Sequence, residues 1–511
     1  MANDHGATAR RFHQATKHSR ESLEREPHVL DWENLPLPFK IYHGLPALEL
    51  PISRVPSGVS ALDAITGRAS RARAGELPDR GALARLLHFS LGILRRRQLG
   101  DGRWHDFRAA PCTGALYHID AYLITADLLD LPAGVYHFGP HDSSLRRLHE
   151  GDQRAIAIAA TGEHAAVAGA PVTVVLASTY WRNAWKYRRR AYRHVFWDGG
   201  TVIAQLLAQA TADGWPAEVV LGFVDGEIEH LCALDPDREG VVCLVALGQG
   251  GATAPPAVPP PAVRFETAPL SGREVEYPEI RDVHDRGALE TAEEARHWRS
   301  SAPSAQARMA PIVGPLIELP KPDPWQDPLE TVIARRGSTR LFRRGAISQA
   351  ALAAFLVCAS APLAADYRAD RNRSLVELYV IVNAVEGLEA GAYRWHTEAK
   401  ALECLCRGER RREAGVLALG QALGADAAVD VYAIADLDRV LGALGSRGYR
   451  AATLDGGVAG GRLYLAAYAQ GLGATGLTFF DDDVARFFGL DPDRFGVMFL
   501  AAAGVPLRAA T

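Results

Sequence analysis

The alternation of apolar and polar positions along this chain writes one order of elements twice. AYLITADLLDLPAGVYHF at 121–138 predicts a strand, a turn and a second strand carrying Gly-x-Tyr, and LYVIVNAVEGLEAGAYRW at 378–395 repeats the pattern. Tyr122 and Tyr136 recur as Tyr379 and Tyr393, each 257 residues later. RAYRHVFWDGG (190–200) returns as RGYRAATLDGG (447–457), and LLAQATADG (206–214) as LYLAAYAQG (463–471), at that same offset. Near the end of each copy the offset falls to 256, as LDPD at 234–237 and 490–493 shows, and as Gly248 and Gly504 show. A register held over so many positions with one indel marks a duplication. Each copy reads as a helix, an edge strand such as Tyr122–Thr125, a hairpin, another strand, a long Ala-rich helix and closing strands. After the first DGG, Val202, Leu206, Leu207 and Ala210 fall at helical spacing, and the second copy is more apolar still. A helix apolar nearly all round is buried, which suits a central helix shared at an interface between the copies.

The boundary between the copies is compositional. APPAVPPPA at 254–262 follows the strand-like VVCLVALG (241–248), and residues 263–325 are charged and irregular. The chain therefore divides into an N-terminal arm (1–60), a first domain (61–252), a Pro-rich linker with a connecting arm (253–320) and a second domain (321–511). Its 511 residues are too many for one ordinary domain and comfortable for two. A composition 48% apolar and 23% charged is that of a soluble globular protein, and a net charge of −4 argues against a general nucleic-acid binder. Six scattered cysteines form no CxxC pair; Cys404 and Cys406 fit neighbouring strand positions, so neither a metal site nor a disulfide framework is expected. No apolar run approaches a membrane span or a signal peptide, and the expected location is the cytoplasm.

Three segments carry candidate chemistry. RRGSTRLF (335–342) sets Arg336, Ser338 and Arg340 before a helix, where guanidinium forks and a hydroxyl suit a phosphate; the bland alternative is a solvated helix start with a serine cap. PCTGALY (111–117) reads as a Pro-Gly turn, or as a place where small residues and Gly114 let backbone N–H groups approach a ring. Cys112 has no neighbour that would activate a thiolate, so packing suits it better than nucleophilic attack. Lys186 and Tyr187 sit in the basic run WKYRRRAYRH, either a solvated face or a lysine base whose pKa is lowered by the arginines at 188–190 and 193. The glycines of GLGATG (471–476) follow a helix rather than opening one, and no P-loop is present, which excludes a nicotinamide-binding Rossmann unit.

These segments, in this order, resemble the SagB-type (McbC-like) dehydrogenases of the nitroreductase superfamily. RAAPCTGALYHIDAYL (108–123) is similar to that family's Arg-x-x-Pro-Ser-x-Gly-Ala-Leu-Tyr-Pro segment, with Cys112, Thr113 and His118 departing from it. WKYRRRAYR resembles its Lys-Tyr-x-x-Arg-x-Tyr-Arg signature, RRGSTR its Arg-x-Ser-x-Arg phosphate motif, and GLGATG its Gly-Leu-Gly-Ala segment. HQATK (13–17) and LDWENLPLPFKIY (30–42) look like the family's leading arm. The resemblance implies an α+β fold of two fused nitroreductase-like domains, each an antiparallel sheet flanked by helices, forming an intrachain pseudo-dimer. It implies FMN held by Arg336, Ser338 and Arg340 at the phosphate, by Pro111, Cys112, Thr113 and Gly114 at the ring, and by Gly473, Ala474, Thr475, Gly476 and Arg508 beside it. The implied reaction oxidises azolines to azoles in a ribosomal peptide cyclised by a partner cyclodehydratase, with Lys186 as base, Tyr187 orienting substrate or relaying the proton, and oxygen as acceptor. Two alternatives stand beside it: a flavin oxidoreductase for a nitroaromatic or quinone, and a degenerate scaffold that binds a partner.

The offset also predicts a single flavin site. Pro111–Gly114 falls opposite Arg368–Arg371, Lys186 and Tyr187 opposite Ala443 and Leu444, and Gly473–Gly476 opposite Pro216–Val219. The intact halves thus lie in different copies and meet once.

Overall fold

The computed structural model describes residues 3–68, 73, 75–98, 100, 102, 104–250, 252–303, 312 and 314–507. In the first copy, β1 (Ala47–Glu49), β2 (Ile119–Thr125), β3 (Gly134–Gly139), β4 (Ser144–Glu150), β5 (Val172–Thr179), β6 (Ala217–Val220) and β7 (Glu239–Leu247) form an antiparallel sheet in the order β1-β4-β3-β2-β5-β7-β6. Tyr122–Thr125 is therefore central and not an edge strand: β2 pairs with β3 and β5 and is buried along its length. The apolar run at 121–124 is what two covered faces require. In the second copy, β8 (Leu316–Glu318), β9 (Phe342–Arg343), β10 (Val376–Val382), β11 (Gly391–His396), β12 (Ala401–Arg407), β13 (Val429–Asp436), β14 (Gly473–Gly476) and β15 (Phe495–Pro506) repeat the sheet as β8-β12-β11-β10-β13-β15-β9, with β14 also on β15. Ala217 pairs with Leu247 as Ala474 pairs with Ala503, whereas Asp225 and Asp481 are only 256 residues apart, so the indel falls in the loop after β6. The edge strands β1 and β8 come from the N-terminal arm and the connecting segment; three residues each, they are too short to show in a hydrophobic pattern.

The connecting segment is more than a linker. The N-terminal arm holds α1 (Ala7–Ala15) and α2 (Arg20–Arg25). Helix α3 (Tyr180–Tyr187) and the long α4 (Ala191–Asp213) belong to the first domain. Residues 278–300 then form α5 (Pro278–Asp285) and α6 (Ala292–Ser300), before α7 (Leu437–Leu444) and the long α8 (Arg447–Ala469) of the second domain. His13 meets the Tyr449 hydroxyl at 3.1 Å, and His284, 271 residues on, meets Tyr192 at 3.4 Å. The His18 N–H donates to Asp481 (2.8 Å) as the Leu289 N–H does to Asp225 (3.0 Å). The arm was duplicated with its domain, and each arm bonds to the opposite copy.

Helices α4 and α8 cross at the centre of one core that runs through both domains. The DGG repeat is explained there. A Cβ on Gly199 or Gly456 would lie 2.7 Å from Val242 or Met498 on the closing strand of its own domain. One on Gly200 would lie 2.5 Å from the Leu454 carbonyl, and one on Gly457 would strike the Trp197 backbone, so the second glycine of each pair lets the helices touch. Charges lock the crossing reciprocally: Arg447 and Arg450 each reach Asp225 at 2.6 Å, and Arg190 (3.1 Å) and Arg193 (2.5 Å) reach Asp481, all buried. Among the described residues no helix is long and apolar enough to cross a membrane.

Candidate active site

Loops and helix ends from both domains meet in a cleft of about 400 Å3, within the range of small-molecule sites. Helix α4 shapes its floor. Asp198 accepts hydrogen bonds from the Thr113 N–H (2.9 Å), the Thr113 hydroxyl (2.8 Å) and the Cys112 thiol (3.2 Å), and lies 2.8 Å from His118 Nε2. Further along the same helix face, Thr201 donates to the Pro111 carbonyl (2.7 Å) and Gln205 to that of Ala109 (2.8 Å). The turn they hold carries Gly114, Ala115 and Tyr117 at φ of 68°, 55° and 47°. For the last two this is a conformation costing about 1–3 kcal/mol, which the bonds to α4 over-determine. A Cβ on Gly114 would lie 2.9 Å from the Tyr187 hydroxyl; glycine makes room for that ring.

Burial, then Asp198, pushes the Cys112 thiol well above its ordinary range, so it stays protonated. Ligand atoms of Cys112, His118 and Asp198 lie within 4.8 Å of one another, a spacing a metal could use, but the hydrogen bonds above already account for the cluster. At the end of α3, Lys186 Nζ lies 5.4 Å from the centre of the Tyr187 ring. Burial and then Arg340 lower the Lys186 pKa, while burial and Asp198 raise that of Tyr187, which therefore remains a donor.

The second domain answers from across the cleft with Ser338, Arg340, Tyr464, Thr475 and Gly476. Ser338 Oγ is 3.4 Å from the Tyr464 hydroxyl, and Arg340 is exposed with no ion-pair partner among the described residues. Thr339 between them is pinned, its N–H to the Ala474 carbonyl (2.9 Å) and its hydroxyl to Tyr468 (3.2 Å). A side chain on Gly473 would strike Thr339, so buried Gly473 and Ala474 seat this loop instead of facing the cleft. Nor does Arg336 face it. Its buried guanidinium donates to the carbonyls of Ala109 (2.9 Å), Arg108 (3.1 Å) and Gly337 (3.1 Å), a strut between the domains. Arg508 lies outside the described residues. The structure thus brings Pro111, Cys112, Thr113, Gly114, Lys186, Tyr187, Ser338, Arg340, Thr475 and Gly476 to one cleft, with Arg336, Gly473 and Ala474 behind it.

The profile of the nitroreductase family matches residues 68–249 and 333–504, most of both sheets. The chain belongs to the nitroreductase family. A Methanocaldococcus jannaschii protein assigned to the nitroreductases is 30% identical over 144 residues, 28% of this chain and 71% of that protein. A crystal structure of a nitroreductase-type protein from Anabaena variabilis superposes with a TM-score of 0.77 at 25% identity, over 98% of this chain and 99% of that one, so the whole two-domain arrangement has a counterpart. A chain of the Escherichia coli microcin synthetase McbBCD complex with truncated pro-MccB17 matches at 20% identity over 33% of this chain and 63% of its own, with a TM-score of only 0.29. Membership makes this an oxidoreductase fold of a flavin-binding family.

The pseudo-symmetric position of this nitroreductase-family chain is filled. Asp455, the counterpart of Asp198, accepts from the Tyr367 hydroxyl (2.7 Å), the Ser374 hydroxyl (2.9 Å) and the Leu375 N–H (2.8 Å), and pairs with the buried Arg368 at 2.8 Å. Helix α6, which meets Leu444, the counterpart of Tyr187, is longer than its own counterpart α2, whose residues are largely exposed. Buried Trp298 on α6 donates to the Leu444 carbonyl (2.9 Å), and the Arg447 guanidinium sits 5.8 Å from its ring and 4.4 Å from that of Phe223. Among the residues that sequence reasoning missed are His194, Asp198, Thr201 and Tyr464, which line the cleft, and buried Asn183, which holds His194. Some left a signal: Asn183 and His194 stand opposite Val440 and Ala451, polar for apolar at the offset of 257.

Proposed function

We propose that the chain is an FMN-dependent dehydrogenase that oxidises azolines to azoles in a ribosomally made peptide already cyclised by a partner cyclodehydratase, with oxygen as final acceptor. One observation carries the reading: Lys186 and Tyr187 from one domain, and Ser338 and Arg340 from the other, face a single cleft. The residues fit FMN. Arg340, without an ion-pair partner among the described residues, and Ser338 suit its phosphate, while the Thr113–Gly114 turn and Gly476 offer small residues to the ring. When bound, FMN supplies a hydride acceptor. The chain supplies the rest. Tyr187, protonated over the neutral range, can donate to the substrate, and a carbon-bound proton must leave to an acceptor within hydrogen-bond reach. Lys186 is the acceptor that the resemblance assigns, and its lowered pKa is in the direction a base needs.

Titration with FMN should saturate at one per chain, and a synthetic thiazoline peptide should lose two hydrogens by mass spectrometry. Lys186→Ala should cut conversion by about 100-fold or more with FMN still bound. Two flavins per chain, none, or undiminished turnover in that variant would each defeat the reading. Family membership itself favours a second reading, a flavin enzyme for a nitroaromatic or quinone. Its mark would be NAD(P)H-driven reduction of such a compound with the peptide left untouched.

A further inference from the structure

His194, on α4, is only 2% exposed, yet it lines the cleft. The ring stands edge-on to Tyr187 (centroids 4.5 Å apart, 89°) and lies 4.9 Å from Trp197. Its Nδ1 is 2.7 Å from Asn183 Oδ1, and the Asn183 amide nitrogen donates to the Thr113 carbonyl at 3.3 Å. An amide that gives its NH2 to a carbonyl can offer only oxygen to the imidazole. Nδ1 therefore carries the hydrogen, and the lone pair sits on Nε2.

The charges around this ring keep it neutral. Arg190 caps the start of its own helix and Arg193 lies on it, His118 is on the first domain's turn and His18 on the arm; with burial as the leading cause, they hold the His194 pKa well below the ordinary imidazole range. The nearby carboxylates do not offset them. Asp198 is taken up by Thr113, Cys112 and His118, and Asp481 by the two arginines. Lys186 and Arg340, which also line the cleft, add further positive charge. The duplicate provides an internal control. Val440 and Ala451 replace Asn183 and His194 there, and the same helices form, so the scaffold does not need this buried polar pair.

We propose that His194 is the proton acceptor of the cleft, taking at Nε2 the proton lost from substrate carbon, with Asn183 as its positioning residue. This rests on the dehydrogenase reading above. The carbon–hydrogen bond breaks and leaves its electron pair in the ring as the new double bond. The proton joins Nε2 to give an imidazolium, and the adjacent carbon releases hydride to the oxidant, the flavin. Asparagine orients the imidazole without adding the charge that would hold the proton afterwards. His194 thus takes the role that the resemblance gives to Lys186, which lines the same cleft, and turnover needs both residues.

The test uses the full chain labelled with 15N-histidine and loaded with FMN, with His194→Gln identifying the resonance. At neutral pH the ring should be uncharged with its proton on Nδ1. Asn183→Asp should move its titration up by about one pH unit or more and carry the acid limb of kcat/KM for a synthetic thiazoline peptide with it. His194→Gln should lower kcat about 100- to 10,000-fold with FMN binding unchanged. A proton on Nε2, an acid limb unmoved in Asn183→Asp, or turnover surviving in His194→Gln overturns the proposal alone. Failure of the wild-type chain to bind FMN or to convert the peptide overturns the functional reading and the proposal with it.

Discussion

The two faces of the α4–α8 crossing share a scaffold and differ in what fills it. On one, Asp198 anchors a strained turn and leaves a cleft bordered by Lys186, Tyr187 and His194. On the other, Asp455 is consumed by Arg368, and Ala443, Leu444 and Ala451 stand at the positions of those three, with Trp298 bonded to the Leu444 carbonyl. What both faces keep, the aspartate and the glycine pair, is therefore architecture. What only one face keeps is the better guide to chemistry, and strained backbone falls on that side as well.

The largest effects should come from the reciprocal ion clusters. Removing Asp225 or Asp481 leaves two buried arginines without a counter-charge, a loss of about 3–5 kcal/mol in either case. Asp481→Ala should also weaken FMN binding, because His18, whose N–H Asp481 accepts, lines the cleft; Asp225→Ala should not. Equal effects on flavin would break the distinction between the faces. Against the cost of burial, Arg447 and Arg450 hold Asp225 down to about 2. A depressed carboxylate gives stability that is present above its unfolded value of about 3.9 and lost as pH falls through its folded one. Denaturant unfolding followed between neutrality and acid should therefore show the difference between wild type and Asp225→Ala fade in that window.

A smaller effect sharpens the same contrast. Trp298→Ala should cost about 3 kcal/mol through the cavity it leaves, yet FMN should still bind once per chain, since Leu444 and Ala451 offer no polar side chain where Tyr187 and His194 stand in the first copy. A second equivalent of flavin would show that the α6 plug alone silences that face. Smallest is the turn after α3. Arg188 holds φ 51° where its counterpart Gly445 holds 63°, and its contacts to Glu26 are exposed and worth little. Arg188→Gly should raise stability by about 1 kcal/mol in thermal unfolding. A loss would mean that the arginine is held there by more than those contacts.

The duplication was legible because strands and long helices keep an apolar register, and Lys186, Tyr187 and the 111–114 turn were legible because the second copy lacks them. The second arm was hidden. It is linked to the first by His13 and His284, and by backbone groups that reach Asp481 and Asp225, none of which makes a sequence pattern. Arg336 misled for a related reason: a guanidinium suited to phosphate is equally suited to backbone carbonyls, and which it meets depends on the fold. Asn183 and His194 stayed unmarked because a buried polar pair acquires meaning only from what the amide's other end bonds to.

The Pro-rich connection between the copies sets the concentration at which the halves meet. In a dimer of separate chains the cleft would exist only as far as association allows; here encounter is intramolecular and survives any dilution. It also lifts a constraint on change. Two identical chains receive every substitution twice, so a residue that spoils one active site spoils both. Joined in one chain, the copies accumulate changes separately, and Arg368 and Trp298 could close one face while Lys186 and His194 were kept on the other.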